Sequence, residues 1–229
     1  MSRILVISPH PDDESIGCGG TLRKHAVEGD AVRVLFLTSG KGGGHGRPAD
    51  ETLRMREQEA RNAAAILGIS PPTFWHGADG ALSVTDQLVA RLRSELVEWR
   101  PEVVYVTHPR EMHRDHRAAA QLVRRAVSEL PAEMARPEVW MYEVWTPLQH
   151  FDRIVDVSDF IDCKLKAVRA HASQCSVMRF DEACRGLARY RGEMHLWPGG
   201  DYAEVFREWR PTGGTCRPRF QGPVSRGTS

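Results

Sequence analysis

The chain has 229 residues, of which 41% are hydrophobic and 27% charged, a balance typical of a globular protein rather than a disordered, fibrous or membrane one. Lysine and arginine total 31 against 30 for aspartate and glutamate, so the basic excess of a nucleic-acid reader is missing and no nucleic-acid partner is expected. A single core at this length buries enough surface to fold without a structural metal, so a bound metal is expected to serve chemistry.

The cysteine pattern and the N-terminal segment indicate a cellular compartment, and the composition along the chain indicates the domain count. The cysteines form an odd, widely spaced set without a C-x-x-C pair, which favours a reducing compartment. The N-terminal apolar run is too short for a signal peptide or a membrane span, so we expect a cytoplasmic protein with no membrane contact. Residues 1–210 are expected to form one domain, followed by a mobile tail at 211–229 that is rich in Gly, Pro, Arg and Ser.

Short apolar runs alternate with helical patterns along the chain. Near-continuous apolar runs predict parallel strands at 3–8, 31–38, 73–76, 103–107 and 139–144. Apolar residues at helical spacing predict helices at 20–29, at 51–67 with Gly68 as C-cap, at 85–99, at 117–130, and from an N-cap at Ser158 to about residue 173. This alternation predicts an α/β, Rossmann-like three-layer fold with a mostly parallel sheet and ligands at the carboxyl ends of the strands.

An unusual concentration of polar side chains directly follows the first predicted strand. The sequence reads Pro9-His10-Pro11-Asp12-Asp13-Glu14. Positions i and i+3 of a helical first turn share a face, so His10 and Asp13 can bind one ion while Asp12 points elsewhere. Acidic residues at a helix start also serve as caps that complement the helix dipole, and this segment alone leaves that alternative open.

A second cluster follows the strand at 103–107 and contains His108, His113, Asp115 and His116. Two histidines and one carboxylate leave an open coordination position, as in a catalytic zinc site, where the pKa of a bound water falls to about 7. Both clusters follow strands of one predicted parallel sheet, so they lie at the same edge. The sequence therefore predicts a metal site there.

The two clusters resemble the motifs of a known family. Pro9 to Glu14 resembles the (A/P)HPDDE signature of the PIG-L or LmbE-like zinc deacetylases, and His113 to His116 resembles their His-x-Asp-His motif. Weaker similarities extend the resemblance from Ile4 to Phe206 and comprise Arg56-x-x-Glu59-Ala60, Asp79-Gly80, His171-x-Ser173-Gln174, and the segments 189–192 and 202–206.

The resemblance implies an activity and roles for individual residues. Members of this family remove acetyl groups from N-acetylglucosamine-type amines with one divalent metal, usually zinc. The implied metal ligands are His10, Asp13 and His116, and the implied catalytic residues are Asp12 as general base and His113 with Asp115 as a charged pair beside the substrate carbonyl. Spacing alone indicates only the first two ligands, and the choice of His116 over His113 comes from the resemblance.

Two further segments concern substrate binding. The resemblance implies that Arg56 contacts a sugar or a phosphate, whereas an i,i+3 ion pair with Glu59 is the alternative. Family members often carry an acidic residue in the loop after the second strand, but this chain has a glycine-rich run at 40–46. That run lacks the order of a phosphate-binding loop, so we expect a mobile rim of the site.

These observations predict a zinc-dependent N-deacetylase, a hydrolase that acts on a small-molecule N-acetylated amino sugar or glycoside. A non-haem Fe(II) oxygenase can use the same His/Asp/His triad, but many such enzymes have an all-β scaffold. A non-hydrolytic sugar-binding module is the second alternative, and it does not need the base Asp12 beside the metal. The sequence leaves open which amino sugar conjugate is cut and whether the chain forms a homo-oligomer.

Overall fold

A seven-stranded sheet lies at the centre of the structure, a computed structural model that describes residues 1–194 and 200–210. The strands are β1 (Arg3–Ser8), β2 (Ala31–Thr38), β3 (Thr73–Gly77), β4 (Val103–Thr107), β5 (Glu138–Tyr142), β6 (Arg153–Asp156) and β7 (Ala203–Trp209). Their order is β3-β2-β1-β4-β5-β7-β6, and β7 runs antiparallel to both its neighbours. The mostly parallel sheet is confirmed, and the tail at 211–229 lies outside the described residues.

Helices cover both faces of the sheet and complete the three layers. They are α1 (Asp13–Val27), α2 (Ala49–Leu67), α3 (Asp86–Trp99), α4 (Arg114–Ser128), α5 (Ile161–Ala170), α6 (Ala172–Cys175) and α7 (Phe180–Glu193). Ile4 and Val6 of β1 pack in a cluster with α1, α2 and α5, whereas Leu5 and Ile7 pack with α3 and α4. Burial of both strand faces explains the near-continuous apolar run. In the described part of the chain, no helix has the length and apolar character to cross a membrane.

The strand order places the carboxyl ends of β1 and β4 side by side. β1 pairs in parallel with β2 on one side and with β4 on the other, with Ile4 opposite Val103 and Ile7 opposite Val106. β2 and β3 lie on one side of β1, whereas β4 and β5 lie on its other side, so the strand order reverses between β1 and β4. In open α/β sheets the crevice at such a point binds ligands. The segments that follow β1 and β4 are the two polar clusters.

The structure corrects the predicted start of α1. This helix begins at Asp13, although the predicted range began at residue 20. Glycines disfavour a helix interior, so the sequence pattern did not predict the first turns, which contain several glycines. In the folded chain they permit close packing, since a Cβ atom at Gly20 would lie 2.7 Å from the Cβ of Val157. Tertiary packing therefore overrides local propensity here.

The C-terminal third also differs from the prediction. The proposed N-cap at Ser158 is wrong, because Ser158 starts a 3-10 turn and its hydroxyl donates to Asp156 Oδ1 at 2.7 Å. α5 begins only at Ile161, and the chain from there to residue 175 is divided between α5 and α6. The sequence reading also lacked β6, α7 and β7.

Candidate active site

The turn between β1 and α1 brings His10 and Asp13 together. His10 precedes the helix, and the Asp13 N–H donates to the His10 carbonyl across the turn at 3.3 Å. Asp13 Oδ2 accepts the backbone N–H of His10 at 2.9 Å and lies 3.1 Å from His10 Nδ1. His10 and Asp13 therefore converge as the i,i+3 spacing predicted, although His10 lies in a non-helical turn before α1.

His116 completes a triangle of potential ligand atoms. It lies in the first turn of α4, and its Nε2 is 3.1 Å from Asp13 Oδ2 and 3.3 Å from His10 Nδ1. Ligand atoms at about 2.0 to 2.1 Å from a tetrahedral zinc ion are about 3.4 Å apart. The three donor atoms have nearly this spacing and are of the N and O types that zinc accepts, so the residues fit a divalent metal.

The other ring nitrogen of His10 faces carboxylates. His10 Nε2 lies 3.2 Å from Asp79 Oδ1 and 3.2 Å from Asp115 Oδ2. A histidine that binds a metal through one nitrogen commonly donates the other N–H to a carboxylate, which fixes the ring and its tautomer. Asp79 and Asp115 are placed for this role toward His10. His10 also forms candidate ligand groups with Asp79 and Asp115 and with His113 and His116.

Neighbouring charges shift the two adjacent aspartates in opposite directions. Burial alone would raise the pKa of Asp13, but the imidazoles of His116 and His10 hold it far below the ordinary range. Burial raises the pKa of Asp12 to about 6, against the opposing effect of Arg56. Asp13 is therefore a fixed anion suited to a cation, whereas Asp12 has the proton affinity of a general base near neutrality.

Arg56 lies beneath Asp12 and is 3% exposed. Its Nη2 is 3.0 Å from Asp12 Oδ2 and donates to the Pro11 carbonyl at 2.8 Å, while Nη1 donates to the Gly40 carbonyl at 2.7 Å. Glu59, the alternative partner of Arg56, accepts from Ser173 through both carboxylate oxygens. Sequence reasoning missed the contact between Arg56 and Asp12, for which the sequence offers no signal.

His113 caps α4 and lies half-buried beside the triangle. Its Nδ1 accepts the backbone N–H of Asp115 at 3.2 Å, and its ring centroid is 4.7 Å from that of His10. The Asp115 carboxylate instead accepts the backbone N–H groups of Gly80 at 2.7 Å and Leu82 at 3.0 Å. Burial and the nearby His10 and His116 lower the pKa of His113. The His113 ring is thus held through the backbone N–H of Asp115, whereas the Asp115 carboxylate has other partners.

His108 and Glu14 lie away from the ligand triangle. His108 Nε2 bonds to the Thr146 carbonyl at 2.7 Å and its Nδ1 accepts from the Arg110 N–H, so the ring is committed to the loop after β5. Glu14 accepts the Ser15 hydroxyl and lies 3.5 Å from the buried His171 Nε2. His171 was visible from the sequence only as part of the family resemblance.

The glycine-rich run at 40–46 has defined contacts in the structure. It contains a 3-10 turn at Lys41–Gly44, in which the Gly42 N–H donates to Asp79 Oδ2 at 2.6 Å. Gln174 Nε2 donates to the Gly43 carbonyl at 3.0 Å. Gly40 has φ +64, and a side chain there would collide with Arg56. The loop therefore contacts both Asp79 and Arg56, the partner of Asp12.

A cleft of about 390 Å³ opens over these residues. The polar part of its wall includes Gly42, Gly43, His45, Asp79 and Gln174. The apolar part of its wall consists of Ile16, Trp145, Val177, Met178 and Phe180. The cleft thus combines hydrogen-bonding groups with an apolar wall next to the ligand triangle.

Comparisons with known proteins agree with this geometry. The chain is 32% identical to a diacetylchitobiose deacetylase of Thermococcus kodakarensis over 90% of this chain and 83% of that protein. It is 32% identical to a probable N-acetyl-alpha-D-glucosaminyl L-malate deacetylase of Bacillus cereus over 78% of this chain and 86% of that protein. The crystal structure of the conserved protein TT1542 from Thermus thermophilus matches with a TM-score of 0.82, at 33% identity over 99% of this chain and 100% of that one.

The family comparison covers the part of the chain that carries both motifs. Residues 5–127 match the model of the PIG-L family, described as GlcNAc-PI de-N-acetylase. This range includes residues 5–8 of β1, all of β4 and the three residues of the ligand triangle. The chain therefore belongs to the PIG-L family of de-N-acetylases.

Proposed function

We propose that the protein is a zinc-dependent N-deacetylase that hydrolyses the acetamide of an N-acetylglucosamine-type conjugate. The observation that carries the proposal is the triangle of His10 Nδ1, Asp13 Oδ2 and His116 Nε2, with edges of 3.1 to 3.3 Å beside the carboxylate of Asp12. Two similar proteins bear the names of deacetylases that act on compounds containing N-acetylglucosamine, which supports the substrate class.

The overall reaction consumes one water and one amide and gives acetate and the protonated amine. His10, Asp13 and His116 would hold a divalent ion, which would supply Lewis acidity toward the amide carbonyl and the attacking water. Asp12 accepts a proton from the water as the new C–O bond forms, and it delivers that proton to the amine nitrogen as the C–N bond breaks. A carboxyl whose pKa is about 6 can carry a proton in both directions near neutral pH.

We propose that His113 stabilises the oxygen on which negative charge develops. Its Nδ1 is occupied by the Asp115 N–H, so the neutral ring carries its proton on Nε2 and donates from there. Asp115 acts as a positioning residue, because its carboxylate holds the Gly80 to Leu82 backbone and faces His10 Nε2. Arg56 supports the base Asp12 and also borders the cleft, where the sequence reading expected a substrate contact.

We further propose that residues 1–210 act as one catalytic domain in the cytoplasm. The free thiols of Cys18, Cys163, Cys175 and Cys184 support a reducing location. The substrate is a small molecule, since the cleft of about 390 Å³ suits one or two sugar units rather than a polymer face.

A metal-reconstitution assay tests the function. The purified protein is stripped with a chelator, reloaded with zinc, and assayed for acetate release from diacetylchitobiose and from N-acetylglucosaminyl malate. We expect release only after reloading. A parallel sample with Fe(II) and oxygen tests the oxygenase alternative, for which oxygen consumption without acetate release would replace our proposal.

Two matched histidine variants locate the activity. His116→Ala removes a proposed ligand, whereas His150→Ala removes an exposed imidazole outside the cleft. We expect His116→Ala to lose bound zinc and acetate release together and His150→Ala to retain both. Full zinc content and full turnover in His116→Ala would show that the ligand set is wrong.

A further inference from the structure

An apolar cavity of about 280 Å³ lies next to the cleft. We call it the side chamber, and its lining includes Ile16, Trp145, Cys184, Leu187, Ala188 and Val205. The side chamber and the cleft share Ile16, Trp145, Met178 and Phe180, so the two spaces adjoin. Ile16 lies one helical turn after Asp13 on α1, which places the entrance beside the ligand triangle.

The charged side chains in the wall of the side chamber have internal partners. Lys164 Nζ donates to Glu204 Oε1 at 2.6 Å and to the Ile16 carbonyl at 2.7 Å. Glu204 also accepts the backbone N–H groups of Gly20 and Thr21. Glu143 accepts from Arg191 at 2.6 Å through Nη2. Because these groups are already paired, the wall favours a hydrocarbon over a polar ligand.

Apolar side chains are also exposed at the entrance. Trp145 is 39% exposed and Met178 is 46% exposed, and the Trp145 ring contacts Phe180 edge to face with centroids 5.6 Å apart. Large apolar side chains grouped at the mouth of a cavity mark a binding surface. The entrance therefore continues the apolar wall of the cleft into the side chamber.

We propose that the side chamber receives the acyl chain of the substrate, so that the enzyme prefers N-acyl amino sugars with chains longer than acetyl. This inference rests on the proposed function. A secondary amide is planar and trans, which places the sugar and the acyl chain on opposite sides of the scissile C–N bond. The side chamber adjoins the cleft at Ile16 and Trp145, so an acyl chain that extends from a carbonyl at the ligand triangle can enter it.

The reaction balance is that of the deacetylase. One water adds its oxygen to the acyl carbon, the C–N bond breaks, both protons of the water end on the amine nitrogen, and a fatty carboxylate replaces acetate as the product. No oxidant or further reactant is required.

A chain-length series on the zinc-loaded enzyme tests the inference. The substrates are N-acetyl-, N-butanoyl- and N-octanoylglucosamine, with release of the free amine as the readout. Burial of each methylene favours binding by up to about fourfold, so kcat/KM should rise along the series. Equal or falling values with chain length, beside measurable cleavage of the acetyl compound, would overturn the acyl-chain inference alone. Absence of cleavage for every substrate would overturn the proposed function and this inference with it.

A chamber-filling variant locates the effect. Ala183 lines the side chamber from α7 at an exposed position, so Ala183→Trp adds bulk at the chamber without burying a new group in the core. We expect the ratio of kcat/KM for octanoyl over acetyl substrate to fall at least tenfold. Ala65→Trp, at an exposed position on α2 outside both cavities, should keep the wild-type ratio. An unchanged ratio in Ala183→Trp would contradict the proposal.

The octyl glycoside of N-acetylglucosamine distinguishes the two ends of the substrate. It carries the same hydrocarbon on the sugar rather than on the amide. If Ala183→Trp lowers kcat/KM for this glycoside and leaves the N-octanoyl ratio unchanged, the side chamber binds the aglycone and the acyl assignment is wrong.

Discussion

The guanidinium of Arg56 lies 3.0 Å from the carboxylate of Asp12, and both side chains are buried. Arg56 also donates to the carbonyls of Pro11 and Gly40, so it joins the base to the turn after β1 and to the glycine-rich loop. Asp12 has φ +154 and ψ −28, a backbone conformation that non-glycine residues seldom adopt. The ion pair and the two carbonyl contacts hold this conformation in place.

Arg56→Gln is expected to lower kcat by about 10- to 100-fold, because a hydrogen bond to a buried charged group contributes about 1.5 to 3 kcal/mol. Zinc content should stay unchanged, since Arg56 contacts none of the proposed ligands. Steady-state kinetics with metal analysis check this. Arg56→Lys should restore part of the loss, because it returns a positive charge without the forked geometry.

The matched control for Arg56 is Arg61 on the same helix. Arg61 is exposed and pairs with Glu57 at 2.9 Å, so Arg61→Gln should leave kcat and KM close to wild type. If Arg56→Gln raised KM alone and kept kcat, Arg56 would be a substrate contact, as the sequence reading expects, and not a support for Asp12.

The sequence predicted the bounds of the central strands well. Residues 3–8, 31–38 and 103–107 are strands with the predicted bounds, because strands buried on both faces leave an unbroken apolar run. β7 was missed because its charged Glu204 interrupts such a run, although Lys164 pairs with it in the core. α7 was missed because its buried stripe contains small residues such as Cys184 and Ala188.

Within the site, local spacing was sufficient only where the residues are close in sequence. His10 and Asp13 are three positions apart, and one turn brings them together. The contact of His10 with Asp79 joins two separate loops, and the contact of Asp115 with the Gly80 backbone does the same. Such contacts depend on where the sheet places each loop, and no periodicity within one segment encodes them.

Asp12→Asn tests the proton-transfer role. The amide cannot accept a proton from water, so turnover should fall by a factor of about 10² to 10⁴. Zinc content should match the wild type, because the ligand triangle uses Asp13 and leaves Asp12 out. Measured by metal analysis beside acetate release, a loss of zinc in this variant would instead make Asp12 a ligand.

The buried pair of Lys164 and Glu204 should contribute strongly to stability. Lys164→Met leaves Glu204 as an uncompensated buried charge, which should lower the free energy of unfolding by about 3 to 5 kcal/mol. Urea unfolding at neutral pH measures it. Lys166→Met, two residues along α5 and exposed, should change stability by less than about 0.5 kcal/mol.

The pH dependence of this pair has a defined sign. Burial opposes the charge on Lys164, but Glu204 outweighs it and raises the lysine pKa. A raised pKa in the folded state means that the contribution is fully present below the unfolded value of about 10.4 and is lost as the pH rises through the folded value. The stability difference between wild type and Lys164→Met should therefore shrink as the pH rises above about 9.

The side chains of His113 and Asp115 have separate contacts in the site. His113→Ala should keep its zinc and lose about 10² to 10³ in turnover, the effect of removing one donor to the developing oxyanion. Asp115→Asn should weaken zinc binding by about 10- to 100-fold, because its carboxylate orients His10. The Asp115 side chain contacts His10 and the 80–82 backbone, and Asp115 bonds to His113 only through its backbone N–H. The double variant should therefore have lower activity than either single variant.

Chelator competition and acetate release, measured on all three variants, check this prediction. A double variant no less active than His113→Ala would mean that Asp115 acts through the His113 ring. A collapse of zinc binding in His113→Ala would make that imidazole a ligand.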